Sequence, residues 1–146
     1  MQKISSENVL AQAANAAPLR LIAMNGTQEL GDKIEYYLQT WAKKSGYVED
    51  TYRIEVDCPR FSSGDGKGLI KSSVRGDDLY ILVDVGNYNC KYNMYGFENA
   101  MSPDDHYQDL KRIIQATSGK AARINVIMPN LYGGRQHRRN YRESLD

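Results

Sequence analysis

The sequence predicts an α/β fold: a mostly parallel sheet with helices on both faces and a β-hairpin flap. Three observations carry this. The runs "LRLIAMN" (19–25), "LYILVDVG" (79–86) and "ARINVIMP" (122–129) are nearly all apolar, as strands covered on both sides must be. Amphipathic segments of helical period alternate with them. A turn-rich stretch, 59–68, with three glycines in ten residues, separates two short β-patterned runs. Such alternation implies parallel strands joined by crossover helices. Ligand loops gather at the carboxyl ends of those strands.

Residues 5–16 read as a short helix with a serine cap, ended by Pro18. The first buried strand follows at 19–25, and Gly26-Thr27 opens a helix. Leu30, Ile34, Leu38 and Trp41 fall on one face of that helix, and Gly46 lies just past its end. "TYRIEVDC" (51–58) alternates as a strand does, and "LIKSSV" (69–74) can return beside it. Together they make a hairpin with a long tip. Residues 75–78 read as a turn before the strand at 79–86. Residues 87–101 show no period and read as a long loop or insertion. Ser102-Pro103-Asp104-Asp105 starts a helix: a serine cap, a first-turn proline and acids against the helix dipole. Its inner face is Tyr107, Leu110, Ile113, Ile114 and Thr117, and Gly119 stops it. After the strand at 122–129, Arg142-Glu143 reads as the first turn of another helix. Residues 142–146 are too few for a stable helix, so the reading has the chain truncated inside an element.

With 146 residues the chain suits one domain and can bury roughly 70% of its unfolded surface. Lys and Arg total 19 against 18 Asp and Glu. That balance excludes a generic nucleic-acid binder and makes the basic cluster at 135–142 a local feature. Eleven tyrosines suit half-buried packing positions. Cys58 and Cys90 have neither disulfide-framework nor zinc-site spacing. The first 20 residues lack a basic start followed by an apolar core. No apolar run approaches about 18 residues, so no membrane span is expected and cytoplasm is the expected compartment.

Chemistry concentrates in two loops. Gly133-Gly134 permits a tight turn at a strand exit, and Arg135, Gln136, His137, Arg138 and Arg139 follow at once. Guanidinium groups pair with phosphate oxygens through two parallel hydrogen bonds. Composition leaves two readings: an anion site, or a solvated basic turn paired with acids elsewhere. In "RFSSGDGKG" (60–68), Phe61 can stack on a base or pin the tip as an apolar anchor. Asp65 can orient a sugar hydroxyl or make the turn. Asp104-Asp105-His106 looks like a metal cluster, but helix capping explains both acids. His106 is then expected to be solvated on an exposed helix turn.

"LRLIAMNGTQELGDKIEYYL", "RFSSGDGKGLIKSSVRGDDLYIL" and "KRIIQATSGKAARINVIMPNLYGGRQHRR", in that order, resemble the N-terminal half of ribose-phosphate pyrophosphokinase, PRPP synthetase. The resemblance covers residues 19–146, leaving 1–18 as an N-terminal helical extension. It implies a phosphoribosyltransferase-like domain, one of a tandem pair. It also implies transfer of the ATP diphosphate to the 1-hydroxyl of ribose 5-phosphate with magnesium, feeding nucleotide biosynthesis. The family's F-S-D-G-E loop contacts adenine and ribose across a subunit boundary, which implies a homo-oligomer. Here it reads Phe61-Ser62-Ser63-Gly64-Asp65, with Ser63 in place of aspartate and Asp65 in place of glutamate. The R-Q-D-R motif appears as Arg135-Gln136-His137-Arg138. The resemblance therefore implies ATP contacts from Phe61, Ser63, Asp65, Arg135, Gln136 and Arg138, with His137 and Arg139 as accessories. The family's ribose-phosphate loop, catalytic lysine–arginine loop and magnesium-binding histidine have no counterpart here. No catalytic residue or metal ligand is expected in this chain, which alone is expected to be inactive. The departures at Ser63 and His137 imply an alternative, a non-catalytic regulatory or assembly subunit.

Overall fold

The computed structural model of the protein describes residues 17–139, 141 and 142. The expected helix at 5–16 and the turn through Glu143 lie outside the described residues. In chain order the elements are β1 (Leu19–Ala23), α1 (Gln28–Lys44), β2 (Val56–Asp57), β3 (Leu69–Ile70), β4 (Asp78–Leu82), β5 (Lys91–Met94), β6 (Phe97–Ala100), α2 (Pro103–Ala116) and β7 (Arg123–Ile127).

The apolar runs become a parallel sheet of order β1-β4-β7. Ile22 lies beside Ile81, and Ile81 beside Val126. The chain at 52–54 adds to the outer edge of β1: Leu21 N–H donates to the Tyr52 carbonyl at 2.8 Å and Ile54 N–H to the Leu21 carbonyl at 2.9 Å. Successive residues of β1 divide between two apolar clusters, as the two-residue period of a strand requires. Ile22 and Met24 pack with Leu79, Ile81 and Val83 and with Leu110 and Ile113 of α2. Leu21 and Ala23 pack with Leu82 and with Ile34 of α1. Each fully buried Leu or Ile contributes about 1.5–3 kcal/mol, so these few side chains dominate the core.

Both helices form where the pattern predicts. The helix α2 begins with a complete capping box: Ser102 Oγ accepts from Asp105 N–H, and the Asp105 carboxylate accepts from Ser102 N–H. Its left-handed exit starts at Ser118, one residue before Gly119. The inner face expected for α1 is only partly right. Leu30 is 41% exposed and Trp41 60% exposed, while the buried position is Gly31. A Cβ at Gly31 would meet Arg53 Nη1 at 2.6 Å and Ala23 Cβ at 2.8 Å. The helix backbone thus lies directly on β1, and the larger residues of the 30-34-38-41 stripe turn partly away from it.

Two further expectations change. Of the 51–58 run, only Val56 and Asp57 pair antiparallel with Leu69 and Ile70; the preceding residues go instead to the edge of β1. The stretch read as a loop, 87–101, contains the hairpin β5–β6, with Met94 opposite Phe97 and Lys91 opposite Ala100. Its two-residue turn is Tyr95-Gly96, both with positive φ (49° and 83°), the type I′ geometry that matches strand twist. β5 is only four residues long, the adjacent polar pair Glu98-Asn99 breaks the alternation in β6, and Tyr-Gly is a weak turn signal compared with Asn-Gly.

Candidate functional site

The loops leaving β1 and β4 meet each other. Asn87 Nδ2 donates to the Gly26 carbonyl at 3.3 Å. His106 Nε2 lies 2.9 Å from the Asn87 carbonyl, which requires that nitrogen to carry the proton. The expectation of a solvated His106 is therefore overturned: it is 2% exposed and ties α2 to the β4 exit. One helical turn of α2 separates it from Leu110, so it shares the buried face.

The Phe61 loop is an ordered miniature hairpin. Phe61 N–H donates to the Asp65 carbonyl at 2.8 Å, Gly64 N–H to the Phe61 carbonyl at 2.9 Å and Lys67 N–H to the Pro59 carbonyl at 3.0 Å. Ser63 Oγ donates to Asp65 Oδ2 at 2.8 Å, so these two candidates are joined. The Phe61 ring is 61% exposed and does not anchor the tip. Arg60 anchors it instead. Its guanidinium donates twice to the Asp109 carboxylate, at 2.5 and 3.0 Å, and lies 5.0 Å over the Tyr92 ring. Arg112 Nη1 also donates to Asp109, at 2.7 Å. The side chains of Arg60 and Asp109 are 6% and 5% exposed. A Cβ at Gly66 would collide with the guanidiniums of Arg60 and Arg112, and one at Gly68 would lie 2.7 Å from the Arg112 backbone. These two glycines thus let the loop close onto its anchor.

The basic loop is seated elsewhere on the same helix. Tyr132 stacks on Tyr107 with centroids 4.1 Å apart, and its hydroxyl donates to Asp104 Oδ1 at 2.5 Å. A tight turn follows, closed by Gly134 N–H to the Leu131 carbonyl at 3.2 Å and Gln136 N–H to the Gly133 carbonyl at 2.7 Å. Arg135, Gln136, His137, Arg138 and Arg139 are all exposed beyond it. His137 Nδ1 lies 3.1 Å from the Arg135 carbonyl, and Arg139 Nε donates to the Tyr141 carbonyl at 3.1 Å. The attachment points Asp104 and Asp109 are about 7.5 Å apart along the axis and on different sides of α2.

A cleft of about 470 Å³ opens at the end of β1, lined by Met24, Asn25, Gln28, Asp57, Cys58 and Pro59 among others. None of the candidate side chains lines it. Burial, followed by the negative charge of Asp109, pushes the Cys58 thiol up to about 12. A thiol held that high is no nucleophile at neutral pH.

The family model for the N-terminal domain of ribose phosphate pyrophosphokinase matches residues 19–146. The chain belongs to this family. No individual curated protein matches it. In this ribose phosphate pyrophosphokinase domain, the matched span runs from β1 through the basic loop and includes the β5–β6 hairpin. No described helix is long and apolar enough to cross a membrane. Among the described residues, no group of three or more His, Cys, Asp or Glu side chains could hold a metal ion.

Sequence reasoning missed Arg60, Tyr92 and Asp109, and placed His106 in solvent where it is buried. Arg60 and Asp109 lie 49 residues apart, and no local pattern pairs them. The Asp109–Arg112 spacing of i,i+3 was the one legible hint, and it reads equally as a surface pair.

Proposed function

We propose that this chain is the ATP-binding N-terminal part of a ribose-phosphate diphosphokinase, which moves the diphosphate of ATP to the 1-hydroxyl of ribose 5-phosphate. The observation that supports it best is the posture of Phe61. Its loop is fixed by a buried ion pair, yet the ring stays in solvent. An apolar ring held outward by a rigid support is offered to a partner surface, and a purine face is such a surface. On this reading Ser63 and Asp65 stand near the ribose. Arg135 and Arg138 take the phosphates through paired N–H donors, and Gln136 adds donor and acceptor capacity. His137 and Arg139 add positive charge at the rim.

Diphosphoryl transfer depends on positioning and on charge around the moving group. This chain supplies the nucleotide side of that arrangement, and no transfer step is assigned to its residues. Magnesium enters with the ATP phosphates, and no step is assigned to a protein-held ion. The two-sided clustering of β1 residues supports a sheet with helices on both faces, and β2–β3 with its tip serves as the flap. Self-association follows the same reading, because the Phe61 loop would contact nucleotide across a subunit boundary. A cytoplasmic setting accords with it.

Calorimetry with ATP and magnesium tests the reading. The chain should bind. Arg135→Ala and Arg138→Ala should each weaken binding about tenfold, the effect of losing one good charge-assisted contact. Their stability should stay within about 0.5 kcal/mol, because both residues are exposed. Absence of binding, or binding indifferent to both arginines, refutes the site. Formation of PRPP by the purified chain refutes the division of labour. The departures at Ser63 and His137 favour one second reading, a non-catalytic assembly subunit; it predicts oligomerisation without ATP affinity.

A further inference from the structure

The β5–β6 hairpin meets the Phe61 loop at three positions, Tyr92, Met94 and Tyr95. Tyr92 lies under the Arg60 guanidinium at 5.0 Å. Tyr95 N–H donates to the Ser62 carbonyl at 2.8 Å. Gly64 sits against Met94, where a Cβ would come within 2.9 Å of the thioether sulfur. Tyr92 and Met94 are two residues apart and therefore on one face of β5; both are half-buried, while Lys91 and Asn93 are exposed. The base of the hairpin is tied as well. Met101 N–H donates to the Cys90 carbonyl at 2.8 Å, and Asn87 holds both the Gly26 loop and His106. The hairpin is thus fastened at its root to the body of the domain and at its tip to the loop.

We infer that β5–β6 is a strut that sets the conformation of residues 60–66, making Tyr92, Met94 and Tyr95 positioning residues for the contact made by Phe61. The positioning role rests on the nucleotide reading above; the strut itself rests only on geometry. A loop of seven residues with a free tip would have to be ordered when its ligand arrives, and that ordering subtracts from affinity. Here the hairpin orders it beforehand. Arg60 provides the common piece: the same guanidinium is held by Asp109 from α2 and covered by Tyr92 from β5. The loop is clamped between the helix and the hairpin.

Backbone amide exchange on the intact 146-residue chain tests the strut. In the double variant Tyr92→Leu, Met94→Ala, exchange at Phe61 and Gly64 should quicken about fivefold or more, relative to amides of β1, β4 and β7. That is the factor expected from losing about 1 kcal/mol of support. Tyr92→Phe keeps the aromatic face and should leave the ratio unchanged. Because the readout is loop exchange relative to sheet exchange, a uniform loss of stability does not imitate it. An unchanged ratio in the double variant overturns the strut. ATP affinity, measured alongside, should fall by a similar factor in the double variant and not in Tyr92→Phe. Intact affinity with a loosened loop overturns the positioning role. A wild-type chain that fails to bind ATP overturns the nucleotide reading instead, and leaves the exchange result to decide the strut.

Discussion

The carboxylate of Asp109 holds two guanidiniums at once, and removing it gives the sharpest test of how the loop is anchored. Three hydrogen bonds end on it: two from Arg60, at 2.5 and 3.0 Å, and one from Arg112 at 2.7 Å. Asp109→Ala would leave the Arg60 charge, 6% exposed, facing a second cation with no acid between them. Breaking a buried pair by deleting one partner costs about 3–5 kcal/mol, because the surviving charge stays desolvated. With a urea slope of about 2 kcal/mol/M, the unfolding midpoint should fall by about 1.5–2.5 M. Arg112→Ala should cost less, about 1–2 kcal/mol, since that side chain is 21% exposed and gives one bond. Asp109→Asn keeps the shape and one acceptor and should fall between them. A loss below about 1 kcal/mol for Asp109→Ala would refute the anchoring argument, since so small a value is typical of solvated ion pairs.

Other consequences are measurable. Arg123, which donates to Asp78 together with Asn125, holds the Asp78 carboxyl below its ordinary value. The folded state therefore favours the ionised form. Its advantage is present at pH 7 and disappears as pH falls through the depressed value, below about 4. Asp78→Asn should be less stable than wild type near pH 7, with the two midpoints drawing together as pH falls below about 4 in a urea titration series. Cys58, pushed up to about 12 by burial, should react with iodoacetamide at pH 8 roughly a thousandfold more slowly in the folded chain than in urea, because its thiolate is that much scarcer. His106→Leu removes the donor at comparable volume and orphans the Asn87 carbonyl; a loss of about 1–3 kcal/mol is expected by urea unfolding, and no loss would refute the tie between α2 and the β4 exit.

The parallel sheet was legible because three mostly apolar runs, alternating with amphipathic helical segments, admit few other folds. The capping box was legible because every part of it lies within four residues. The α1 face was misread for a specific reason. Periodicity weighs Leu30 and Trp41 as core, whereas the contact is made by Gly31, which has no side chain to weigh. The β5–β6 hairpin escaped notice because its strands are only four residues each and Glu98-Asn99 interrupts the alternation in the second. Its stability comes from Tyr92, Met94 and Tyr95 meeting a loop about 30 residues earlier in the chain. Of the candidate site, the exposed chemistry of Phe61 and Arg135–Arg138 was visible in residue type and order. The side chains that hold those loops were not, since Arg60–Asp109 and Tyr132–Tyr107 are long-range pairs between residues that look ordinary in isolation.

The two loops share one helix as their footing. The basic loop rests on Asp104 and Tyr107, and the Phe61 loop on Asp109 and Arg112. The stretch of α2 between them therefore works as a gauge block. One residue inserted there would rotate one seat about 100° against the other and lift it about 1.5 Å. Neither loop can be re-aimed alone by a movement of this helix, so any motion that tilts α2 carries the aromatic ring and the arginines together.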